Sequence, residues 1–364
     1  MSALRLASVL DVQAQARDMP RQALDVQHET LDVQRRALDT RRQMPDTRRR
    51  MRVVRSIAEL RAELAPHRQA GASIGLVPTM GALHDGHLSL IAAARRGCDV
   101  AVVSIFVNPT QFDEQSDLAA YPRQERRDAR LAREAGCDVL FVPDAQEIYK
   151  PGFATTVQVH GLTDALEGAV RGAGHFRGVT TVVCKLLNIV GPQVAYFGQK
   201  DAQQAAVIRR MAGDLDLDVR IATLPIVREH DGLAMSSRNV RLDATERAQA
   251  LALVSALRTG QALASGGERA AAVIVDAVRA ELESWAVQPD YVALVDPDSF
   301  AALAQLDGDG LLLIAARVGE TRLIDNATLH APGGARDAAD PSSAAVREPA
   351  AGQDKREAVA RCSA

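Results

Sequence analysis

A chain of 364 residues exceeds one typical domain, and 47% hydrophobic residues can fill a substantial core, so two domains plus appendages are expected. A net charge of −3 gives no global case for a nucleic-acid or membrane partner, and no uninterrupted apolar run is long enough to span a bilayer. The four cysteines (Cys98, Cys137, Cys184, Cys362) lack CxxC spacing, which argues against a zinc site or a disulfide framework and fits a reducing cytoplasm.

Residues 10–51 repeat with a period of seven: LDVQAQA, RDMPRQA, LDVQHET, LDVQRRA, LDTRRQM, PDTRRRM. A coiled coil would give such a period, but the apolar residues hold no clean a/d pattern, and Pro20 and Pro45 interrupt any helix. The arginines Arg35, Arg36, Arg41, Arg42 and Arg48–Arg50 would suit an RNA-binding or scaffolding arm, or a targeting peptide. Interspersed aspartates and the lack of an apolar segment weaken the targeting reading. Residues 1–50 are read as a disordered low-complexity extension, with Met51 a suitable start for the folded protein.

From Met51 the texture changes. Strand-like runs (75–77, 100–107, 139–142, 195–197, 219–224) alternate with helical stretches (88–96, 123–135, 179–190, 202–214), which predicts an α/β fold with a parallel sheet wrapped by helices. Ligands in such sheets bind beyond the carboxyl ends of the strands. Residues 51–226 are assigned to this Rossmann-like domain. Residues 227–330 are assigned to a smaller α+β domain, helical over 243–286 and with strands at 291–295 and 311–316. The tail, 331–364, is rich in Ala, Gly, Pro, Ser and charge and reads as disordered.

Five segments of this frame could carry chemistry. PTMGALHDGH (Pro78 to His87) reads as strand, glycine-containing turn and helix entrance, with two histidines three apart. Backbone N–H groups and the helix dipole favour an anion there, and histidines can donate to phosphoryl oxygens. NPTQF places Gln111 just past a strand end, where an ordinary turn glutamine would look the same. FGQKDAQQ is a second strand–turn–helix crossing: Lys200 supplies a charge for phosphate, Asp201 could hold Mg²⁺ through its water shell, and Gln204 lies one turn later on the same face. DGLAMSSRN offers two hydroxyls and a guanidinium in one loop at the domain junction, although a polar linker with a helix cap has the same composition. GHFRGV precedes an apolar helix, and Arg171, His175 or Arg177 could support the site.

Taken together and in order, PTMGALHDGH, NPTQF, DLAAYPR, GHFRGV, FGQKDAQQ and DGLAMSSRN closely resemble the pantothenate synthetase (pantoate–β-alanine ligase) family, from about Met51 to Leu329. The resemblance implies a Rossmann-like nucleotidyltransferase domain, a smaller C-terminal lid domain and a homodimer. HxGH and MSSRN look like the HIGH and KMSKS phosphate-handling motifs of that superfamily. The implied reaction has two steps: pantoate's carboxylate attacks the α-phosphorus of ATP, and β-alanine's amine then displaces AMP from pantoyl adenylate. The implied ATP site comprises Met80, Gly81, Ala82, Leu83, His84, Asp85, Gly86, His87, Gly198, Gln199, Lys200, Asp201, Val227, Met235, Ser236, Ser237 and Arg238. His84, His87 and Lys200 are the implied catalytic residues, His87 being the family's named proton donor. Gln111 and Gln204 would grip pantoate, Gln111 would also border β-alanine, and Asp201 would assist Mg²⁺, with Asp128 a weaker metal candidate. Rival readings are another adenylate-forming enzyme on the same fold, or an RNA-binding or scaffold role for the arginine-rich repeat. Three departures stand out: Asp85 where the family often has Glu, an extra residue in Arg171-Gly-Ala-Gly-His175, and two terminal extensions outside the pattern.

Overall fold

The computed structural model describes residues 51–112, 118–119 and 121–331; the expectations for residues 1–50 and for 332–364 lie outside them. In chain order the elements are β1 (Arg52–Val54), α1 (Ile57–Gln69), β2 (Ile74–Thr79), α2 (Asp85–Gly97), β3 (Val100–Ile105), α3 (Glu125–Glu134), β4 (Val139–Phe141) and α4 (Ala145–Ile148). Then come α5 (Glu167–Val190), β5 (Val194–Gly198), α6 (Ala202–Asp214), β6 (Arg220–Leu224), α7 (Ala244–Ser265), α8 (Ala271–Ser284), β7 (Pro289–Val295), β8 (Asp309–Val318) and β9 (Thr321–His330).

Local chemistry sets several boundaries. α1 opens on a capping box: the Ser56 hydroxyl accepts from the Glu59 N–H, and the Glu59 carboxylate accepts from the Ser56 N–H, both at 3.1 Å. All six residues of β3 are buried, as strands covered on both faces require. α5 starts well before the apolar stretch that suggested it. A non-helical Gly172 (φ 78°, ψ 160°) kinks its first turns, so the extra residue in Arg171–His175 falls within this kinked helix.

The first sheet has the order β1-β4-β3-β2-β5-β6, with β4, β3, β2, β5 and β6 parallel to their neighbours. The chain steps from β2 to β3 on one side, whereas β5 and β6 lie on the other. The order therefore reverses between β2 and β5, where loops diverge and leave a crevice at the strands' carboxyl ends. One apolar core packs this sheet against its helices, with Leu60, Ile74, Phe141, Leu186 and Ile208 among its members. A second core joins α7 and α8 to an antiparallel sheet, β7-β8-β9, around Leu253, Ile274, Leu312 and Ile314.

One expectation needs correction here. The sequence suggested two C-terminal strands, but β9 is a third and pairs with β8 along its whole length. Its pattern was obscured because Asp325 and Asn326 are buried polar residues with partners of their own. Ala331, which the sequence reading placed in the tail, is buried, and its N–H donates to the Gly308 carbonyl at 3.0 Å. Among the described residues no helix is long and apolar enough to cross a membrane.

Candidate active site

The turn after β2 is built around one carboxylate. Gly81 (φ 87°) and Ala82 (φ 51°) adopt left-handed backbone, which points successive N–H groups inward. Asp128 on α3, 1% exposed, accepts from the N–H of Ala82 at 2.8 Å and of Leu83 at 2.9 Å. Arg127 donates to the Leu83 carbonyl at 3.0 Å. Both oxygens of Asp128, named from the sequence as a weaker metal candidate, are thus engaged by the loop's backbone. Leu83, expected to line the nucleotide, has a fully buried side chain and spent backbone groups.

That anchored turn delivers His84 as the residue preceding α2, with His87 one turn later. Their ring centroids lie 4.1 Å apart, and the His84 N–H donates to His87 Nδ1 at 3.4 Å. An acceptor role for Nδ1 assigns the proton to Nε2 of His87. Burial, followed by the proximity of His84, pushes the His87 imidazole down to about 3; burial, followed by Lys200, also lowers His84. Both rings are neutral N–H donors near pH 7. His84 Nδ1 is buried and has no partner among the described residues. Gly86 makes this packing possible, since a Cβ there would sit 2.9 Å from the His84 ring. Gly86→Ala is therefore expected to lower turnover by about ten-fold or more through the displaced ring. Its melting temperature should hold, because alanine favours the helix by roughly 0.5–1 kcal/mol. Unchanged turnover in the folded variant would show that the ring's position is immaterial.

The second wall comes from β5. A 3-10 turn over Gln199–Asp201 leads into α6 and carries Lys200 with its amine 3.8 Å from the Asp201 carboxylate. Asn326 on β9 fixes that turn by donating to the carbonyls of Gln199 (2.9 Å) and Lys200 (3.1 Å), while the Gln199 amide donates to Thr328 Oγ1 at 3.3 Å. The C-terminal sheet thus holds the loop that presents Lys200. Gln111 closes a 3-10 turn (Pro109–Gln111) beyond β3, with its amide nitrogen 3.0 Å from Met80 Sδ and its oxygen accepting from Asn108 at 3.1 Å. His175 Nδ1 donates to the Gln111 carbonyl at 2.9 Å, so the GHFRGV segment supports this position from α5.

The third wall is the loop Met235–Asn239. Met235 N–H donates to the Val227 carbonyl, Ser236 Oγ accepts from the Arg238 N–H at 3.2 Å, and Asn239 donates to the Ala234 carbonyl and to Glu229. Burial, then the charge of Arg171, lowers the Arg238 guanidinium below its usual range. No carboxylate pairs with Arg238 within 4.0 Å among the described residues, which leaves a desolvated cation facing the cavity.

These walls enclose a cleft of about 380 Å³, within the size range of small-molecule sites. Of the residues selected from sequence, Met80, His84, Gly86, His87, Gln111, Gly198, Lys200, Asp201, Gln204, Val227, Met235, Ser236, Ser237 and Arg238 line it. Gly81, Ala82, Leu83, Asp85 and Gln199 do not line it; they shape its loops. Sequence reasoning missed Glu167, Tyr121, Tyr291, Asp325 and Asn326, which also line the cleft. Tyr121 had a signal in DLAAYPR. The others carry none, because only the C-terminal sheet's placement brings them there.

With this geometry, a family model described as pantoate-beta-alanine ligase matches residues 52–328. The chain belongs to the pantoate–β-alanine ligase family. It is 54% identical over 278 residues to a pantothenate synthetase of Moorella thermoacetica, an alignment covering 76% of this chain and 98% of that one. A pantothenate synthetase 1 of Bradyrhizobium diazoefficiens is 52% identical over 279 residues, again 76% of this chain and 98% of the relative. Among solved structures, the pantothenate synthetase of Thermus thermophilus superposes with a TM-score of 0.72 at 46% identity, over 76% of this chain and 99% of its own. The Francisella tularensis ligase, solved with β–γ ATP and β-alanine, gives 0.63 at 33% identity, over 76% and 97%. In this family frame the paired histidines, Lys200 and the Met235–Arg238 loop surround one cleft at the sheet's reversal point.

Proposed function

We propose that this protein condenses pantoate with β-alanine at the expense of ATP, releasing AMP and pyrophosphate. The observation that carries the reading is the convergence on one cleft of two neutral histidine donors, Lys200 and Arg238, which has no carboxylate partner among the described residues. It joins the family match over residues 52–328, a stretch that leaves the N-terminal repeat out and so gives the RNA-binding alternative no support.

The chemistry needs no protein nucleophile. A pantoate carboxylate oxygen attacks the α-phosphorus, the bond to the β-phosphate's bridging oxygen breaks, and pyrophosphate departs. The amine of β-alanine then attacks the acyl carbon, the bond to AMP breaks, and the amine's surplus proton is lost. Negative charge builds on phosphoryl oxygens in the first step, so preorganised cations and N–H donors lower its barrier. His84 and His87 donate to those oxygens. With its imidazole pushed down to about 3, His87 fits a hydrogen-bond donor better than an acid that gives up a proton. Lys200 bridges phosphate and pantoate, and Met235 to Arg238 close around the nucleotide. Gln111 and Gln204 grip pantoate from two sides of the cleft, and Gln111 borders β-alanine.

Among the described residues no cluster of three or more His, Cys, Asp or Glu is placed to hold a metal. Mg²⁺ that arrives on ATP keeps most of its water and needs few carboxylates. Asp201, half-exposed and lining the cleft, suits that use. Bound there, the ion would neutralise phosphate charge. Three further readings complete the proposal: residues 227–330 act as a lid over the 51–226 domain, two copies form a homodimer, and the protein works in the cytoplasm. Free cysteines at 98, 137 and 184 suit a reducing compartment.

The deciding assay is pantothenate formation from pantoate, β-alanine and ATP with AMP as coproduct, alongside pyrophosphate exchange into ATP. Exchange should require pantoate; exchange supported by a different carboxylate would reject the substrate assignment.

A further inference from the structure

Where α5 meets the C-terminal sheet, one buried carboxylate gathers cations from elements far apart in sequence. Glu167 is 7% exposed. Arg322 on β9 donates to both of its oxygens, at 2.8 and 2.7 Å, and Tyr291 on β7 donates at 2.9 Å. Arg171, one helical turn along α5, donates through Nε at 2.9 Å. The seam is tied further by Asp290, which accepts from Arg322 Nε at 2.6 Å, and by Gln203, whose side-chain oxygen accepts from the Glu167 N–H at 3.0 Å. Burial alone would raise the Glu167 carboxyl, but hydrogen bonds and charge from Arg322, with the charge of Arg171, hold it at about 2. It stays ionised and fully engaged.

Arg171 is used only through Nε. Its terminal nitrogens have no hydrogen-bond partner among the described residues, and the side chain lines the cleft. It also lines a small adjoining void with Lys200, Ser236, Arg238, Arg322 and Asp325. Like charges thus crowd one spot: burial and then the charge of Arg171 lower Arg238, which has no carboxylate partner among the described residues. Two guanidiniums held this way are stabilised by an anion that bridges them, and the fork of Arg matches phosphate oxygens.

We propose that Arg171 is a third cationic arm, with Lys200 and Arg238, on the pyrophosphate portion of ATP, and that Glu167 is the positioning residue that aims it while binding the C-terminal sheet through Arg322 and Tyr291. The pyrophosphate seat therefore forms only when the C-terminal sheet is docked on α5. This inference rests on the ATP-dependent reading above.

Pyrophosphate exchange and direct calorimetric titration of pyrophosphate test it, using Arg171→Ala, Arg171→Gln, Glu167→Gln and the Arg171→Ala/Glu167→Gln double variant. Arg171→Ala should weaken pyrophosphate binding and raise the KM for ATP by at least about ten-fold, with the pantoate KM within about two-fold of wild type. Glu167→Gln should shift the same constants less, and the double variant should be no worse than Arg171→Ala, because one residue acts through the other. Additive losses, or unchanged pyrophosphate binding in both folded Arg171 variants, would overturn the proposal. A rise confined to the KM of pantoate or β-alanine would also overturn it, assigning the arm to a substrate carboxylate. If Glu167→Gln fails to fold, the two Arg171 variants still decide whether the arm touches pyrophosphate. Wild-type protein lacking pantoate-dependent exchange would reject the functional reading itself, a result separable from normal exchange that Arg171→Ala leaves untouched.

Discussion

Lys200→Ala is expected to cut pantoate-dependent pyrophosphate exchange by roughly 10²–10³-fold, with a melting temperature within about 2 °C of wild type. The amine sits on a turn held from below by Asn326, so its position does not depend on substrate. Its carboxylate neighbour, Asp201, lies 3.8 Å away and is half-exposed, which leaves most of the ammonium's field for an incoming anion. Removing a preorganised charge from a water-poor cleft costs more than removing it from a surface, because nothing replaces the lost interaction in the transition state. Lys200→Arg should restore little, since a planar fork cannot occupy the point the ammonium fills. Near-normal exchange by the folded alanine variant would remove Lys200 from the chemistry.

The second large effect is on stability. Asp128→Ala strips the acceptor from the N–H groups of half-buried Ala82 and buried Leu83, and a buried one costs about 1–3 kcal/mol when left unpaired. The melting temperature is expected to fall by on the order of 10 °C. Adenylation should weaken as well, because the same loop carries His84. The Mg²⁺ concentration for half-maximal residual activity should stay as in wild type. A large rise in that concentration with normal melting would instead make Asp128 a metal ligand.

These two residues show why the sequence could be read only in part. Lys200 stands in a turn between an apolar strand and a helix, a local pattern that marks a strand's carboxyl end and the ligand side of a parallel sheet. Asp128 stands in an ordinary charged helix, ERRDARLARE, and nothing local distinguishes it from its neighbours. Its role depends on backbone groups some 45 residues away. β9 teaches the same lesson at the level of an element. Arg322, Asp325 and Asn326 break its apolar alternation because they pair with Glu167, Arg228 and the Gln199–Lys200 carbonyls. Polar residues that satisfy distant partners look like loop residues until those partners are known.

Sequence by itself determined the parallel α/β frame, the two histidines, the Gly198–Gln204 turn and the Met235–Arg238 loop. Each rests on short-range signals: strand runs, helix entrances and turn residues within about ten positions. Tertiary structure alone decided that His84 and His87 are neutral, that Asp128 anchors the loop beneath them, and that Glu167 gathers Arg171, Arg322 and Tyr291 at one seam. Protonation and charge pairing follow from burial and from neighbours brought in by the fold. Spacing along the chain carries no information about either.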